Sequence, residues 1–135
     1  MSVFAHRATR AYRQTEVQSR TPLELVVMLY DGALRFTAQA RAAIERKDIP
    51  ARREAISRTL AIITELQGTL DMEKGGPIAA SLSALYVYIT GRLLDAAAKQ
   101  DLRPVDEAMR VLTTLRDAWA DIAHPLAESP AGVAR

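Results

Sequence analysis

Thr21-Pro22-Leu23-Glu24-Leu25-Val26-Val27-Met28-Leu29-Tyr30-Asp31-Gly32 is the stretch whose reading decides the fold. Its opening is a helix start. The Thr21 hydroxyl can cap, Pro22 suits a first turn whose N–H has no helical partner, and Glu24 can close a capping box. From Leu25 to Tyr30 every residue is apolar or aromatic, so these turns have no wet face. Helical spacing sorts them into two stripes: Leu25, Met28, Leu29, Gly32 and Phe36 on one side, Leu23, Val26, Val27, Tyr30 and Leu34 on the other. A helix apolar on two sides needs cover on both.

Outward from that stretch, helical periodicity continues and no strand pattern appears. The first helix is expected over Pro22 to about Arg46, with Gly32 marking close approach of a neighbour. Lys47-Asp48-Ile49-Pro50 is a break, and a second helix follows from Pro50 to about Leu70 with Ile56, Leu60, Ile63, Leu66 or Gln67, and Leu70 inward. Arg52, Arg53, Glu54, Arg58 and Glu65 are expected to face out. Asp71 to Pro77, with its Gly75-Gly76 pair, reads as a loop. The third helix runs from Pro77 to about Lys99 on Leu82, Leu85, Tyr86, Ile89, Leu93 and Ala96, with Tyr88 at a rim and its hydroxyl wet. Pro104 opens the fourth, whose stripe Val105, Ala108, Leu112, Leu115, Trp119, Ile122 alternates three and four as in left-handed bundle packing; Trp119 is expected in the core. Four helices of about 20 residues, each about 30 Å long, joined by short turns, make an all-α, antiparallel up-down four-helix bundle. The expected division is residues 1–20 as a flexible segment able to pack as a short cap, 21–124 as the bundle, and 125–135 as a disordered tail.

A chain of 135 residues with 49% hydrophobic and 25% charged residues suits one globular domain. It has no cysteine, which excludes disulfides and thiolate metal sites and fits a reducing, cytoplasmic home. No unbroken apolar run reaches the roughly 18 residues of a membrane span, so no membrane insertion is expected, nor a signal peptide. Residues 1–20 carry four arginines against one glutamate, whereas the rest carries 14 basic and 15 acidic side chains. Nucleic-acid binding needs a basic stripe with aromatic platforms, which the body lacks.

Catalytic chemistry is missing too. The two histidines, His6 and His124, fall in the tails, and no Glu-x-x-His pair exists for a di-metal bundle site. The glycine pair at 75–76 follows no strand and forms no P-loop. No enzyme, cofactor or metal is expected. The surplus stripe of Leu23, Val26, Val27 and Tyr30 is then the functional asset, a face for an amphipathic partner segment laid in a groove. Tyr12 and Val17 read equally as stray residues or as anchors that drop into that groove. Two other readings compete: a structural module that dimerises through the stripe, and a regulatory adaptor that binds another factor through its basic tail.

The order and spacing of these pieces resemble one family. Ala11-Tyr12 is followed by Thr21-Pro22-x-Glu24-Leu25 and Met28-Leu29-Tyr30-Asp31-Gly32-Ala33. Then come Ala43-Ile44-Glu45 with Asp48, Ile62-Ile63-x-Glu65-Leu66, and Leu70-Asp71-Met72-Glu73-Lys74-Gly75-Gly76-x-Ile78-Ala79. Leu82-x-x-Leu85-Tyr86-x-Tyr88, Arg92-Leu93-Leu94-x-Ala96 and Leu115-Arg116-Asp117-Ala118-Trp119 complete the set. The chain resembles the FliS family, the flagellin-specific export chaperones. That resemblance implies a helical bundle that binds the disordered C-terminal segment of flagellin, prevents premature polymerisation in the cytosol and delivers flagellin to the flagellar type III export gate. It implies no cofactor and leaves a homodimer of the free protein open. Tyr12 is the position carried over from the family; Leu23, Val26, Val27 and Tyr30 join it from the stripe.

Overall fold

The computed structural model describes residues 21–124. Expectations placed on residues 1–20, Tyr12 and Val17 among them, and on the tail from 125 lie outside the described residues. Helix α1 spans Pro22–Glu45. Its capping box is formed on both sides: the Glu24 amide donates to Thr21 Oγ1 at 3.1 Å, and the Thr21 amide donates to Glu24 Oε1 at 2.9 Å. The chain leaves α1 through Lys47 at φ 60°. There Asp48 N bonds Ala43 O at 2.9 Å and Lys47 N bonds Ile44 O at 3.1 Å, the two closures of a Schellman turn. Asp48 then caps α2, Ile49–Gly68.

Helix α3, Met72–Ala98, begins earlier than expected. Asp71 accepts from the amides of Glu73 and Lys74 and so caps a turn inside what reads in sequence as a loop. The break falls at Gly76, with φ 51° and ψ −132°, after which Pro77 restarts the helix. No L side chain rests comfortably at that backbone conformation, and a Cβ there would meet nothing within 4 Å. Gly76→Ala is therefore expected to cost about 1–3 kcal/mol through backbone strain alone. Chemical denaturation measures it; an unchanged midpoint would mean that the break is not held by the fold. Helix α4, Leu102–Ala123, also starts ahead of expectation, because Asp101 caps it and places Pro104 in its first turn. Arg103 holds the Asp101 carboxyl down at about 2, by a side-chain and a backbone hydrogen bond.

α1 packs against α2 and α4, and α3 packs against the same two, so α1 and α3 stand on the diagonal of a four-helix square. Two ion pairs hold α1 in register with α4: Arg116 with Asp31 at 2.8 Å and Arg41 with Asp106 at 2.7 Å. Both are part-exposed, so solvent and salt screen them and they serve to set register more than to add stability. Gly32 earns its place on the α2 side, where an added Cβ would lie 3.1 Å from Ile62 Cδ1. Tyr88 is half-exposed, as expected, and its hydroxyl donates to Glu107 at 3.4 Å.

One residue expected to face out is corrected. Arg52 does not face out: it is 5% exposed. It lies along the junction of α2 with the α3–α4 turn, where its Nη1 donates to Gln100 Oε1 at 3.4 Å. By length and composition α3 also passes for a membrane span, which a count of unbroken apolar runs does not register. Its inward stripe, Ala79, Tyr86, Ile89, Leu93 and Ala96, is buried in the bundle.

Candidate functional site

The inward stripe of α1 is neither of the two drawn from its first turns. It runs Val26, Tyr30, Ala33, Thr37, Ala40, Ile44, at spacings of four and three. From Tyr30 onward these side chains are buried. Tyr30 and Val27 are thus core residues and not a leftover face, whereas Met28, assigned to the core side, is 37% exposed. One heptad-like seam outranks two straight stripes because a bundle neighbour follows the 3.5-residue repeat.

The seam is covered along most of its length and open at one end. On α4, Val105, Ala108 and Leu112 are fully buried, Leu115 and Trp119 only partly, and Ile122 is 56% exposed. On α3, the inward side chains are buried from Tyr86 to Ala96, Leu82 is only partly so, and Ile78 is 73% exposed, although the small Ala79 beside it remains buried. On α2, Leu66 is buried and Leu70 only partly. Up-down topology brings the starts of α1 and α3 to the same end as the finishes of α2 and α4. All four stripes therefore lose their cover together.

What remains is a groove of about 480 Å³. Leu23, Val26 and Leu29 line it from α1, Ile78, Ala79 and Leu82 from α3, Leu70 from the α2–α3 connection and Trp119 from α4; Thr69 and Asp71 are polar lining residues. The Asp71-capped turn supplies a lip through Gly75. Tyr30 and Tyr86 lie beneath, joined hydroxyl to hydroxyl at 2.6 Å across the bundle diagonal. Of the residues singled out from sequence, Leu23 and Val26 line the groove, Val27 and Tyr30 pack in the core below it, and Tyr12 lies outside the described residues. Trp119, expected in the core, is partly buried against the core and also lines the groove. Leu70, Ile78 and Leu82 were missed as lining residues. The available signal was that each sits at the same end of an antiparallel helix as Val26.

Burial pushes both phenols up: desolvation is the main cause at Tyr30, reinforced by the Tyr86 hydroxyl and opposed by a Trp119 hydrogen bond. Desolvation also raises Tyr86, against the Tyr30 bond. A folded phenol that holds its proton more tightly than the unfolded one contributes stability fully below the unfolded pKa, about 10, and loses it as pH climbs toward the folded value. The bundle is thus expected to lose stability above about pH 10, with Tyr30 and Tyr86 ionising only as it unfolds. Phenolate absorbance recorded alongside circular dichroism checks this; free titration of all four tyrosines in a folded protein would contradict it.

Among the described residues, no group of three or more His, Cys, Asp or Glu side chains comes together. The groove lining is apolar apart from Thr69 and Asp71, whose carboxylate is engaged in capping α3. Such a cleft accepts apolar side chains of a ligand and shields them from water.

Comparison with known proteins agrees with this architecture. The family model described as flagellar protein FliS matches residues 5–126. The chain is 39% identical over 125 residues to the flagellar secretion chaperone FliS of Salmonella typhimurium, covering 89% of this chain and 93% of that one. It is 33% identical over 126 residues to flagellar secretion chaperone FliSB of Pseudomonas aeruginosa, covering 90% and 100% of the respective chains. Identity to the Campylobacter jejuni FliS chaperone is 39% over 115 residues, covering 85% and 90%. A family match over residues 5–126 and relatives at 33–39% identity over most of each chain place this chain in the FliS family, a family of flagellar secretion chaperones and not of enzymes.

Proposed function

We propose that the protein binds the C-terminal segment of flagellin in the groove above Tyr30 and Tyr86, prevents that segment from polymerising in the cytoplasm, and supports its handover to the flagellar export gate. The observation that carries this reading is the apolar groove left open at one end of an otherwise sealed seam. Its volume falls within the roughly 300–1,000 Å³ of ligand clefts. That is room for a few side chains from one face of a helix, so the rest of the client lies along the surface. A segment that folds as it binds loses chain entropy and gains by burying apolar area, at about 25 cal/mol per Å². Calorimetry with a flagellin C-terminal peptide is expected to show binding at about 1 μM or tighter with a negative heat-capacity change. No heat and no shift in elution on sizing would sink the proposal.

In the free protein we assign the groove to the segment bearing Tyr12. α1 begins at the groove edge, since Pro22 and Leu23 line it, so residues 1–20 join the bundle there. Deleting them is expected to leave the helices folded while raising binding of a hydrophobic dye. Unchanged dye fluorescence would remove the segment from the groove.

A further inference from the structure

Arg52 is a buried cation without a counter-ion. It is 5% exposed, yet no Asp or Glu among the described residues forms an ion pair with it. Its Nη1 donates to Gln100 Oε1 at 3.4 Å, a long bond to a neutral group, and that amide is itself held by donation to Ile44 O. Nε is sealed from solvent and has no acceptor among the described residues. Nη2 has none either but is not sealed, so the guanidinium shows one edge to the surface. Burying an ion is costly unless a group of opposite charge accompanies it. A planar fork of donors with one weak acceptor is half of a recognition pair.

The surroundings call for the same partner. Antiparallel topology gathers the starts of α2 and α4 at the pole opposite the groove. Asp48 and Asp101 cap these helices, and beyond the caps neither has an acid in its first turn, whereas α1 and α3, which start at the groove pole, carry Glu24 and Glu73 there. Two helix N-termini, the positive ends of their dipoles, therefore meet at this pole. Residues 46–53 and 99–103 add six basic side chains against Asp48 and Asp101 alone. Both carboxylates are already engaged, Asp48 by the Ala51 amide and Arg46, Asp101 by Arg103.

The remaining acids of the chain do not reach Arg52. Outside residues 21–124 the acidic side chains are Glu16 and Glu128, and both segments join the bundle at the groove pole. Arg52 is tied through Gln100 to the level of Ile44, about 33 Å along α1 from Pro22. Glu16 precedes Pro22 by six residues and Glu128 follows Ala123 by five, an extended reach of about 20 Å at most. The counter-charge must come from another molecule. We propose that this pole docks an acidic peptide segment of a second protein, one carboxylate of which pairs with the Arg52 guanidinium while its neighbours meet the surrounding basic side chains. A recessed guanidinium with aspartates in the adjoining turns suits a single carboxylate on a flexible side chain; the close-set phosphates of a membrane or a duplex would meet those aspartates as well. With the groove at the other end, client and acidic partner can be held together, and the site does not depend on what the groove binds.

The probe is a fluorescein-labelled hexaglutamate peptide added to the full chain. Anisotropy is expected to show binding at about 100 μM in low salt, weakening as salt rises. Arg52→Met should weaken it about tenfold or more, whereas Arg53→Met, which removes an equal charge from an exposed position, should weaken it less than about threefold. Arg52→Met should also raise the thermal midpoint, since it removes a buried charge that the free chain leaves unpaired; an arginine kept for the fold alone would lower it. In the unmodified chain the Arg52 Nε–H resonance should move further on titration with the peptide than that of any other arginine. The proposal is overturned by a peptide that does not bind at about 1 mM, by equal losses in the two variants, by a lowered midpoint in Arg52→Met, or by an unmoved Nε–H resonance. Tighter binding of inorganic phosphate, or of vesicles about one-third phosphatidylglycerol, would assign the pole to phosphate and overturn it as well. So would weaker binding of the flagellin peptide by Arg52→Met, which would give the pole to the client.

Discussion

Tyr30→Asp is expected to unfold the bundle. Tyr30 is 0% exposed, and its hydroxyl meets that of Tyr86 at 2.6 Å across the diagonal between α1 and α3. Aspartate at this site removes an aromatic ring from the core, leaves the Tyr86 hydroxyl without its partner, and sets a carboxylate among apolar side chains. Cavity, unpaired polar group and buried charge together amount to about 5 kcal/mol or more, comparable to the whole stability of a small domain. Tyr30→Phe isolates one component. It keeps the ring but strands the Tyr86 hydroxyl and takes an acceptor from the Trp119 N–H, so a loss of about 1–3 kcal/mol is expected. Adding Tyr86→Phe should cost little more, since the second change removes the stranded group. Urea denaturation of the two single variants and the double variant checks the cycle; additive losses would mean that the hydroxyls do not act as a pair. Because Tyr30→Asp acts through the fold, lost flagellin binding in that variant says nothing about contact with a client.

Val26→Asp is the informative substitution for the groove. Val26 holds the first position of the same seam and is only partly buried, because no helix covers that layer. A carboxylate there remains wet in the free protein, so stability should change by less than about 1 kcal/mol. Docking an apolar segment over it would strip that water from the charge. A penalty of about 3 kcal/mol is expected, roughly a hundredfold in affinity for the flagellin peptide. Calorimetry and a thermal melt on the same sample separate the two effects. Unchanged affinity in a folded Val26→Asp protein would take the α1 wall out of the binding site.

These two residues mark where sequence periodicity stops being sufficient. Val26 and Tyr30 are four apart, equally apolar in context and part of one stripe, yet one lines a groove and the other carries the core's diagonal contact. The difference lies in what stands opposite. At the Tyr30 layer Tyr86 reaches across; at the Val26 layer α3 contributes Ile78, Ala79 and Leu82 to the lining of an open groove. Arg52 and Trp119 repeat the lesson. Arg52 follows the polar pattern of an outward face but is covered by the α3–α4 turn. Trp119 continues a core stripe past the point where the stripe has a partner.

Local chemistry in the sequence determined the helices, their order and most of their ends. The Thr21–Glu24 box, the Asp48 cap and the 3–4 spacings act within a few residues of themselves, so they can be read without a neighbour; the Asp71 and Asp101 caps are just as local, but the Gly75-Gly76 pair and Pro104 drew the expected starts of α3 and α4 past them. Short connections then left little choice but an up-down bundle. Tertiary structure alone decided where the core ends, because cover is a property of the space between elements, and it is the level at which four independent stripes fall away together that turns a bundle into a container.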